Sequence, residues 1–550
     1  PMQTVLYIDG TWRPGAEGTR FDVLNPATED VIATVASAEI ALDEARLREL
    51  ASQHHASWRP RLERLWSYYR NPVRLPGAGA THGSVAHEAA QVVGLPDRLR
   101  RRRGDAPKPE IVIENDIGWR VDAMVDFVFG KPTRIESLAP DPAKRALIEA
   151  ALDAAWEASG GVGLLQDFAL LGGVYGYADL LVRPDDALSG EAADEAARRV
   201  AAVMRGDDQL AKRDAMRLAG SLVRFEPIEP TRGIPLVDPA DYRNLLGYVV
   251  RTERDGAART AARAAGHGSD ADRRSAVGRW LGSRSRGHAP RLLPGAGDGE
   301  IVELFSASAR QLYADGRRIV DQPNPLGVLP VVHVQNLSQP FQYAGLSDVE
   351  PLIPLQDELN TRLSDRAHRV TMQSFRMYVA KGMQGMGDYP VGPGQVWTTD
   401  NPDADVKAFG GDLYSPSEDE HITQIREAMD KASGVSPVVL GLLRAKIGHL
   451  SSENALRVTL MGVLAKAQRK RMTYGRGILR ASKIALAALD LAGFLPTTEE
   501  ERELRLRWPD PLPRDENRQV AAALSKVELG VPRERVLAEL GYGDADDGVV

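Results

Sequence analysis

The sequence predicts an α+β fold divided among several domains, and three observations carry that prediction. The chain has 550 residues, more than one hydrophobic core accommodates. Helical apolar periodicities are backed by short strand-like runs through much of residues 41–345. Residues 346–434 then set two acid-rich amphipathic helices on either side of a Gly-, Pro- and Asp-rich stretch of short strands.

Composition narrows the function classes. The formal charge of −7 argues against wrapping nucleic acid over the whole surface, so any DNA contact is local or weak. The absence of cysteine removes thiolate nucleophiles, disulfides and Cys-based zinc or iron–sulfur sites together, and fits a reducing cytoplasm. No stretch approaches 18 consecutive apolar residues, so no membrane span is expected, and the first residues lack a secretory pattern.

Residues 5–38 alternate strand-like runs with Gly and Asn-Pro turns and predict a small β-meander. Their segments YIDGTW and NPATEDVIATV resemble the extreme N-terminus of aldehyde dehydrogenases. The nucleophile of that family is a cysteine, absent here, and no G-x-G-x-x-G follows a strand. Residues 1–40 therefore read as a fused fragment or alternative start without dehydrogenase activity. Leu47 and Leu50 mark one helix; Trp58, Leu62, Leu65 and Tyr69 mark a second, with Pro60 in its first turn. Residues 75–109, rich in Gly, Pro and Arg, read as a loop whose run Arg100 to Arg103 is solvated or a DNA patch.

In residues 111–132 a short apolar strand precedes a helix capped by Asn115 or Asp116, with Ile117, Val121, Met124, Val125 and Val128 on one face. A helix over 141–159 follows, and DFALLGGVYGYADLLVRP reads as two strands around a Gly-rich bend. Residues 251–299 are rich in Arg, Ala, Gly and Ser and bury too little apolar surface to offset their ordering entropy. They read as an exposed insertion between strands, after which the strands up to residue 336 rejoin the same sheet.

Ser347-Asp348-Val349-Glu350 has the form of a capping box, and Leu352, Leu355, Leu359, Leu363 and Val370 form one apolar stripe. The acids Asp348, Glu350, Asp357, Glu358 and Asp365 cluster at this helix start or off the stripe. A second box, Ser417 to Glu420, opens the partner helix with Glu418, Asp419 and Glu420, and turns Ile422, Ile425 and Met429 inward. Gly434 and Pro437 end that helix, and an apolar loop follows carrying Arg444, Lys446 and His449. Ser451 or Ser452 then caps a long helix with an apolar stripe of Leu456, Leu460, Val463 and Ala467. Arg469, Arg476, Arg480 and Lys483 share one face of it, which suits solvent, a subunit contact or DNA. A Trp-Pro-Asp-Pro strand and short helices close the chain.

Five segments stand in a telling order: ENDIGWRVDAMVDFVFGKP, PNPLGVLPVVHVQN, GLSDVEPLIPLQDELN, SGVSP and WPDPLP. Together they resemble the portal proteins of long-tailed phages over residues 41–550. The resemblance implies a mixed α/β wing over 41–345 with the 251–299 insertion, and a first stem helix over 346–380. It further implies a clip over 381–415, a second stem helix over 416–434 and a tunnel loop over 435–451. A long wing helix over 452–490 and a crown over 491–550 complete that architecture. The implied function is a homo-oligomeric ring, normally of twelve copies, at one capsid vertex. Double-stranded DNA would enter and leave through it, with Arg444, Lys446 and His449 toward the DNA. Implied partners are the terminase motor, a head–tail adaptor, the major capsid protein and scaffold, in a virion assembled in the bacterial cytoplasm. An acidic stem would keep phosphates from sticking. No enzyme activity, catalytic residue, cofactor or metal is expected, and without a Walker A motif the ATP-driven motor is another protein. The alternatives are another structural head or connector protein, or an inactive fusion related to aldehyde dehydrogenase.

Overall fold

The computed structural model describes residues 6–8, 11–13, 20–24, 31–36, 49, 52–71, 90–100, 110–184, 191–238, 241–253, 300–314, 317–374, 377–382, 401–409, 416–440, 457–512 and 516–540. The chain opens with strands β1 (Leu6–Ile8), β2 (Thr11–Arg13), β3 (Arg20–Leu24) and β4 (Val31–Ala36), then helices α1 (Arg59–Arg70), α2 (Ala90–Val93), α3 (Asp97–Arg100) and α4 (Asp116–Phe129). Next come β5 (Arg134–Ser137), α5 (Pro142–Ala158), α6 (Gly161–Tyr175), β6 (Tyr177–Pro184), α7 (Glu191–Met204) and α8 (Gln209–Gly220). A run of strands follows: β7 (Val223–Ile228), β8 (Gly233–Val237), β9 (Leu245–Glu253), β10 (Glu300–Ser306), β11 (Ala309–Ala314), β12 (Arg317–Pro323) and β13 (Val331–Gln335). The remaining elements are α9 (Ile353–Ser374), β14 (Met377–Lys381), β15 (Asp405–Phe409), α10 (Pro416–Ser433), α11 (Met461–Leu491), β16 (Leu504–Arg507), α12 (Glu516–Glu528) and α13 (Arg533–Leu540). Helices and antiparallel sheets lie in separate blocks, which makes the fold α+β as the sequence predicts.

Two compact units divide these elements. The first comprises Pro1–Leu62, Asp122–Ser347 and Pro437–Val550; the second comprises Glu63–Val121 and Asp348–Ser436. Residues 63–121, expected beside the rest of 41–345, thus cluster with the helix pair instead.

In the first unit, β8 to β12 form an antiparallel five-stranded sheet in sequence order. Residues 251–253, expected in the exposed insertion over 251–299, instead belong to β9, where Glu253 pairs with Glu300; residues 254–299 lie outside the described residues. β13 does not rejoin that sheet. It pairs with β6, which also pairs with β7, in a separate three-stranded sheet. Three buried side chains and the half-buried His333 explain the choice. Asp179 of β6 is fully buried and accepts from Tyr248 (2.6 Å) and Tyr343 (2.8 Å), while His333 of β13 stands 2.7 Å from it. A buried carboxylate needs such partners, so it ties β13 to β6.

The first half of DFALLGGVYGYADLLVRP, through Tyr175, is helix, not strand. Gly172 and Gly173 sit inside α6, where a Cβ on Gly172 would overlap the Tyr474 hydroxyl of α11. Gly172 thus admits a neighbouring side chain. The turn itself falls at Gly176, whose φ of +91° is readily adopted only by glycine. α11 packs on the three-stranded sheet, where a Cβ on Gly477 would overlap Val334 of β13. Trp156 of α5 stacks on Phe225 of β7 at 3.9 Å and donates to Ser482 of α11 (3.1 Å). The expected strand near Trp508 forms one step earlier, as β16, and pairs with β5.

Pro60 also departs from expectation, because helix continues before it. A π-helical turn spans His54–Trp58, closed by the Arg59 N–H bonding to the His54 carbonyl. That wider turn precedes the residue that lacks its own N–H and crowds the preceding turn. The helix marked by Leu47 and Leu50 lies outside the described residues save for Glu49.

In the second unit the expected loop over 75–109 contains α2 and α3, anchored by buried Gln91, Leu95 and Leu99. Arg101 to Arg103 lie outside the described residues. Asn115 caps α4 by accepting the Gly118 N–H at 3.2 Å. Antiparallel β14 and β15 form the small β module between α9 and α10.

Candidate functional site

The helix pair α9–α10 was expected to bury a leucine stripe and expose its acids. Its buried face is different. Leu352 and Leu359 are buried, but Leu355 and Leu363 are half-buried and Val370 is exposed. Gln356, Asn360 and Ser364 are each fully buried. They face residues 112–116, where the short strand expected from residue 111 up to the cap does not form; this stretch leads into α4 and pairs with helix side chains rather than another strand. The Val112, Glu114 and Asp116 N–H groups donate to Ser364 Oγ, Asn360 Oδ1 and Gln356 Oε1, each at 3.0 Å. Gln356 Nε2 and Ser364 Oγ donate back to the Glu114 and Val112 carbonyls at 2.5 and 3.3 Å.

The match has a geometric reason. Two residues of extended chain advance about 6.7 Å, and four residues of helix about 6 Å. A polar residue every fourth position can therefore serve every second amide. Asn360 Nδ2 donates to Gln91 Oε1 (3.0 Å), and Gln91 Nε2 donates to Asn115 Oδ1 (2.8 Å) and the Tyr68 carbonyl (2.9 Å). The Gln-Asn-Ser repeat is visible in the sequence, but a search for apolar periodicity passes over it.

The acids are mostly paired. Arg366 meets Asp419 at 2.9 Å, Arg369 meets Glu418, and His421 stands 3.4 Å from Glu358. Partner numbers rise on α9 as they fall on α10, so the two helices are antiparallel. Glu358 also accepts from Arg362 (2.7 Å); Arg98 grips Asp365 through both nitrogens, the second at 2.7 Å. Burial opposes ionisation of Glu358, but Arg362 and His421 outweigh it and hold its carboxyl below the usual range. Asp357 is half-buried and accepts from the Tyr68 hydroxyl (2.8 Å). Burial raises its pKa, and burial together with this carboxylate pushes Tyr68 to about 12. Asp348 is only 6% exposed, Glu350 is half-buried, and exposed Glu420 accepts from Gln424 (3.3 Å). The two helices carry eight carboxylates against five Arg or Lys side chains, so the surface is a mixed ion-pair lattice more than an acidic wall.

Neither serine stands at its helix N-cap position. Ser347 is buried and donates to the Val174 carbonyl (2.5 Å), and a 3₁₀ turn, Glu350–Leu352, leads into α9 without a side-chain cap. α10 starts at Pro416, which makes Ser417 a first-turn residue. Ile422, Ile425 and Met429 are buried as expected.

In the first unit, α11 exposes Arg469, Arg476 and Arg480, which have no charged partner among the described residues. Lys483 instead pairs with Glu503 at 2.5 Å. The helix also buries cations that the sequence reading missed: Lys466, Lys470 and Arg471. Arg471 donates to the Pro509 and Phe127 carbonyls (3.0 and 3.1 Å) and lies 5.1 Å over the Trp508 ring, which locks the WPDP segment; burial lowers its pKa. Leu460, Val463 and Ala467 are buried as expected, whereas Leu456 and the capping serines lie outside the described residues. So do Arg444, Lys446 and His449. No described helix is long and apolar enough to cross a membrane.

Residues 296–542 match the family described as "Phage portal protein, SPP1 Gp6-like". No curated protein matches the chain. Among solved structures, a chain described as "Virion of native gene transfer agent (GTA) particle" is 12% identical. The alignment covers 78% of this chain and 87% of that one at a TM-score of 0.33. The portal resemblance read from the sequence thus holds over 296–542, in a family that is structural and not enzymatic.

Proposed function

We propose that this chain, which carries a phage portal region over residues 296–542 and so has a structural role in the virion, forms a ring at one capsid vertex. Genome DNA passes through that ring during packaging and ejection. One observation carries the reading: the family match spans two antiparallel helices with a short β ladder between them, α9, β14–β15 and α10. In this assignment α9 and α10 are the stem, 381–415 the clip, 435–451 the tunnel loop, α11 the wing helix and 491–550 the crown. Arg444, Lys446 and His449 face the DNA. The ring has twelve copies and binds the terminase motor, the head–tail adaptor, the major capsid protein and scaffold, after assembly in the bacterial cytoplasm.

The paired acids of the stem suit a sliding polyanion. A strongly basic wall would hold phosphates by counterion release at every step, whereas a mixed lattice with an excess of carboxylates holds them weakly. Arg469, Arg476 and Arg480 then serve subunit contacts or the DNA, and their low number keeps either contact local. Negative-stain microscopy of the purified chain tests the reading. Rings with a central hole are expected; monodisperse monomers at high concentration refute it.

A further inference from the structure

Two features at opposite ends of one strand pair fit each other. β6 and β13 run antiparallel, with Leu181 opposite Val331 and Tyr177 opposite Gln335. Past Gln335 the chain forms a loop that presents Phe341 to solvent, 87% exposed and at φ +62°. A bulky side chain rarely adopts that backbone conformation, and it persists only where surroundings enforce it. Here Gln335 enforces it. Its side chain donates to the carbonyls of Gln339, Gln342 and Tyr343 (3.3, 2.7 and 3.1 Å) and accepts from the Gln339 N–H (3.0 Å). The ring of Tyr242 stands 6.1 Å from that of Phe341. A rigidly held, exposed aromatic is the side-chain type that anchors protein interfaces.

At the other end of the pair, Pro184 borders a cavity of about 330 Å³. Phe305, Pro325 and Leu491 wall it, and Arg183 and Arg310 edge it. Leu491 is 57% exposed. Glu303 holds both guanidiniums, Arg183 at 2.6 Å and Arg310 at 3.1 Å, and Arg183 already stands 5.8 Å over the Phe305 ring. The charge pattern is complementary: residues 336–347 contain no charged side chain, and the electron-rich face of an aromatic ring suits a cavity edged by guanidiniums. β6 spans Tyr177–Pro184, a length of about 23 Å, so no chain can seat its own Phe341 in its own cavity.

We propose that Phe341 of one copy seats in this cavity of the next copy. Knob and hole lie on different surfaces of the same unit, so the contact is heterologous and head-to-tail, the type that closes into rings. It rests on the ring reading and names the contact that builds the ring. The cysteine-free chain makes the test clean. Phe341→Cys and Gln322→Cys, the latter at the cavity mouth, are prepared separately, mixed, and treated with a short bis-maleimide. Cross-linked dimers are expected only in the mixture, and a ladder of oligomers from the double variant. Phe341→Ala should raise the concentration needed for association on the order of 30-fold while leaving the circular dichroism unchanged. Self-linking of Phe341→Cys alone would mean a symmetric contact and overturn the proposal. So would wild-type association by Phe341→Ala, or wild-type rings whose mixed variants do not cross-link; the ring reading survives both. A wild-type chain that never associates overturns both.

Discussion

Replacing Asn360 with Ala removes the middle rung of the ladder between α9 and residues 110–116. Two groups lose their partners: the Glu114 N–H, held at 3.0 Å, and the fully buried Gln91 Oε1, also at 3.0 Å. Gln356 keeps its bond to the Glu114 carbonyl and so is not stranded. Each buried, unsatisfied group costs about 1–3 kcal/mol. Glu114 is only half-buried and recovers part of its loss from water, which leaves a net cost of about 2–4 kcal/mol. If the segment opens locally, that cost corresponds to amide exchange faster by about 30- to 700-fold. Hydrogen exchange read by mass spectrometry on a peptide covering 110–116 measures it directly. Ser364→Ala removes the bonds to the N–H and carbonyl of Val112, which is exposed, and should have a smaller effect. Exchange at Glu114 within about threefold of wild type in Asn360→Ala would refute the ladder as a source of order, as would a larger effect from Ser364→Ala.

Gly172→Ala drives a methyl into the Tyr474 hydroxyl and should cost about 1–3 kcal/mol by thermal unfolding, with partial recovery in the double variant Gly172→Ala, Tyr474→Phe; strictly additive effects would count against the contact. Glu303 gives a pH dependence of definite sign. Burial pushes its carboxyl up, but hydrogen bonds from Arg183 and Arg310 outweigh this and hold it below its ordinary 4.5. Its stabilisation is therefore present above pH 4.5 and lost as pH falls through the depressed value. Wild type should lead Glu303→Gln in denaturant midpoint at pH 7, and the gap should close on acidification; a gap constant from pH 7 to about pH 3 contradicts the assignment. Paired replacement of Arg444 and Lys446 by Ala should lower DNA packaging or retention while rings still form in negative stain. Loss of rings would instead make these residues part of a subunit contact.

Periodicity and breakers were enough for much of this fold. The strands before residue 37 (paired among the described residues as two separate hairpins, β1–β2 and β3–β4, rather than the expected meander), α4 with its Asn115 cap, α10 with Ile422, Ile425 and Met429 inward, and the apolar stripe of α11 all follow from local pattern, because each such residue acts within its own turn. Misreadings arose where a residue's partner is distant in sequence. Ser347 matches a capping box, yet its hydroxyl bonds the Val174 carbonyl, 173 residues away. Gly172 looks like a turn until Tyr474 occupies the space it leaves. Gln356, Asn360 and Ser364 look like the solvent face of α9 until residues 110–116 supply the amides that satisfy them.

Sequence by itself determined the α+β class, the strands joined across the 254–299 insertion, the acid-rich helix pair around a small β module, and the resemblance to phage portal proteins. Only the tertiary structure decided which face of α9 is buried, that Asp365, Glu358, Asp419 and Glu418 pair with Arg98, Arg362, Arg366 and Arg369, and that Phe341 and the Pro184 cavity lie at opposite ends of one ladder. The division has a physical reason. An apolar side chain needs only to leave water, which periodicity predicts from near neighbours. A buried amide or carboxylate needs one particular partner at hydrogen-bond distance, and the chain supplies that partner only once it has folded.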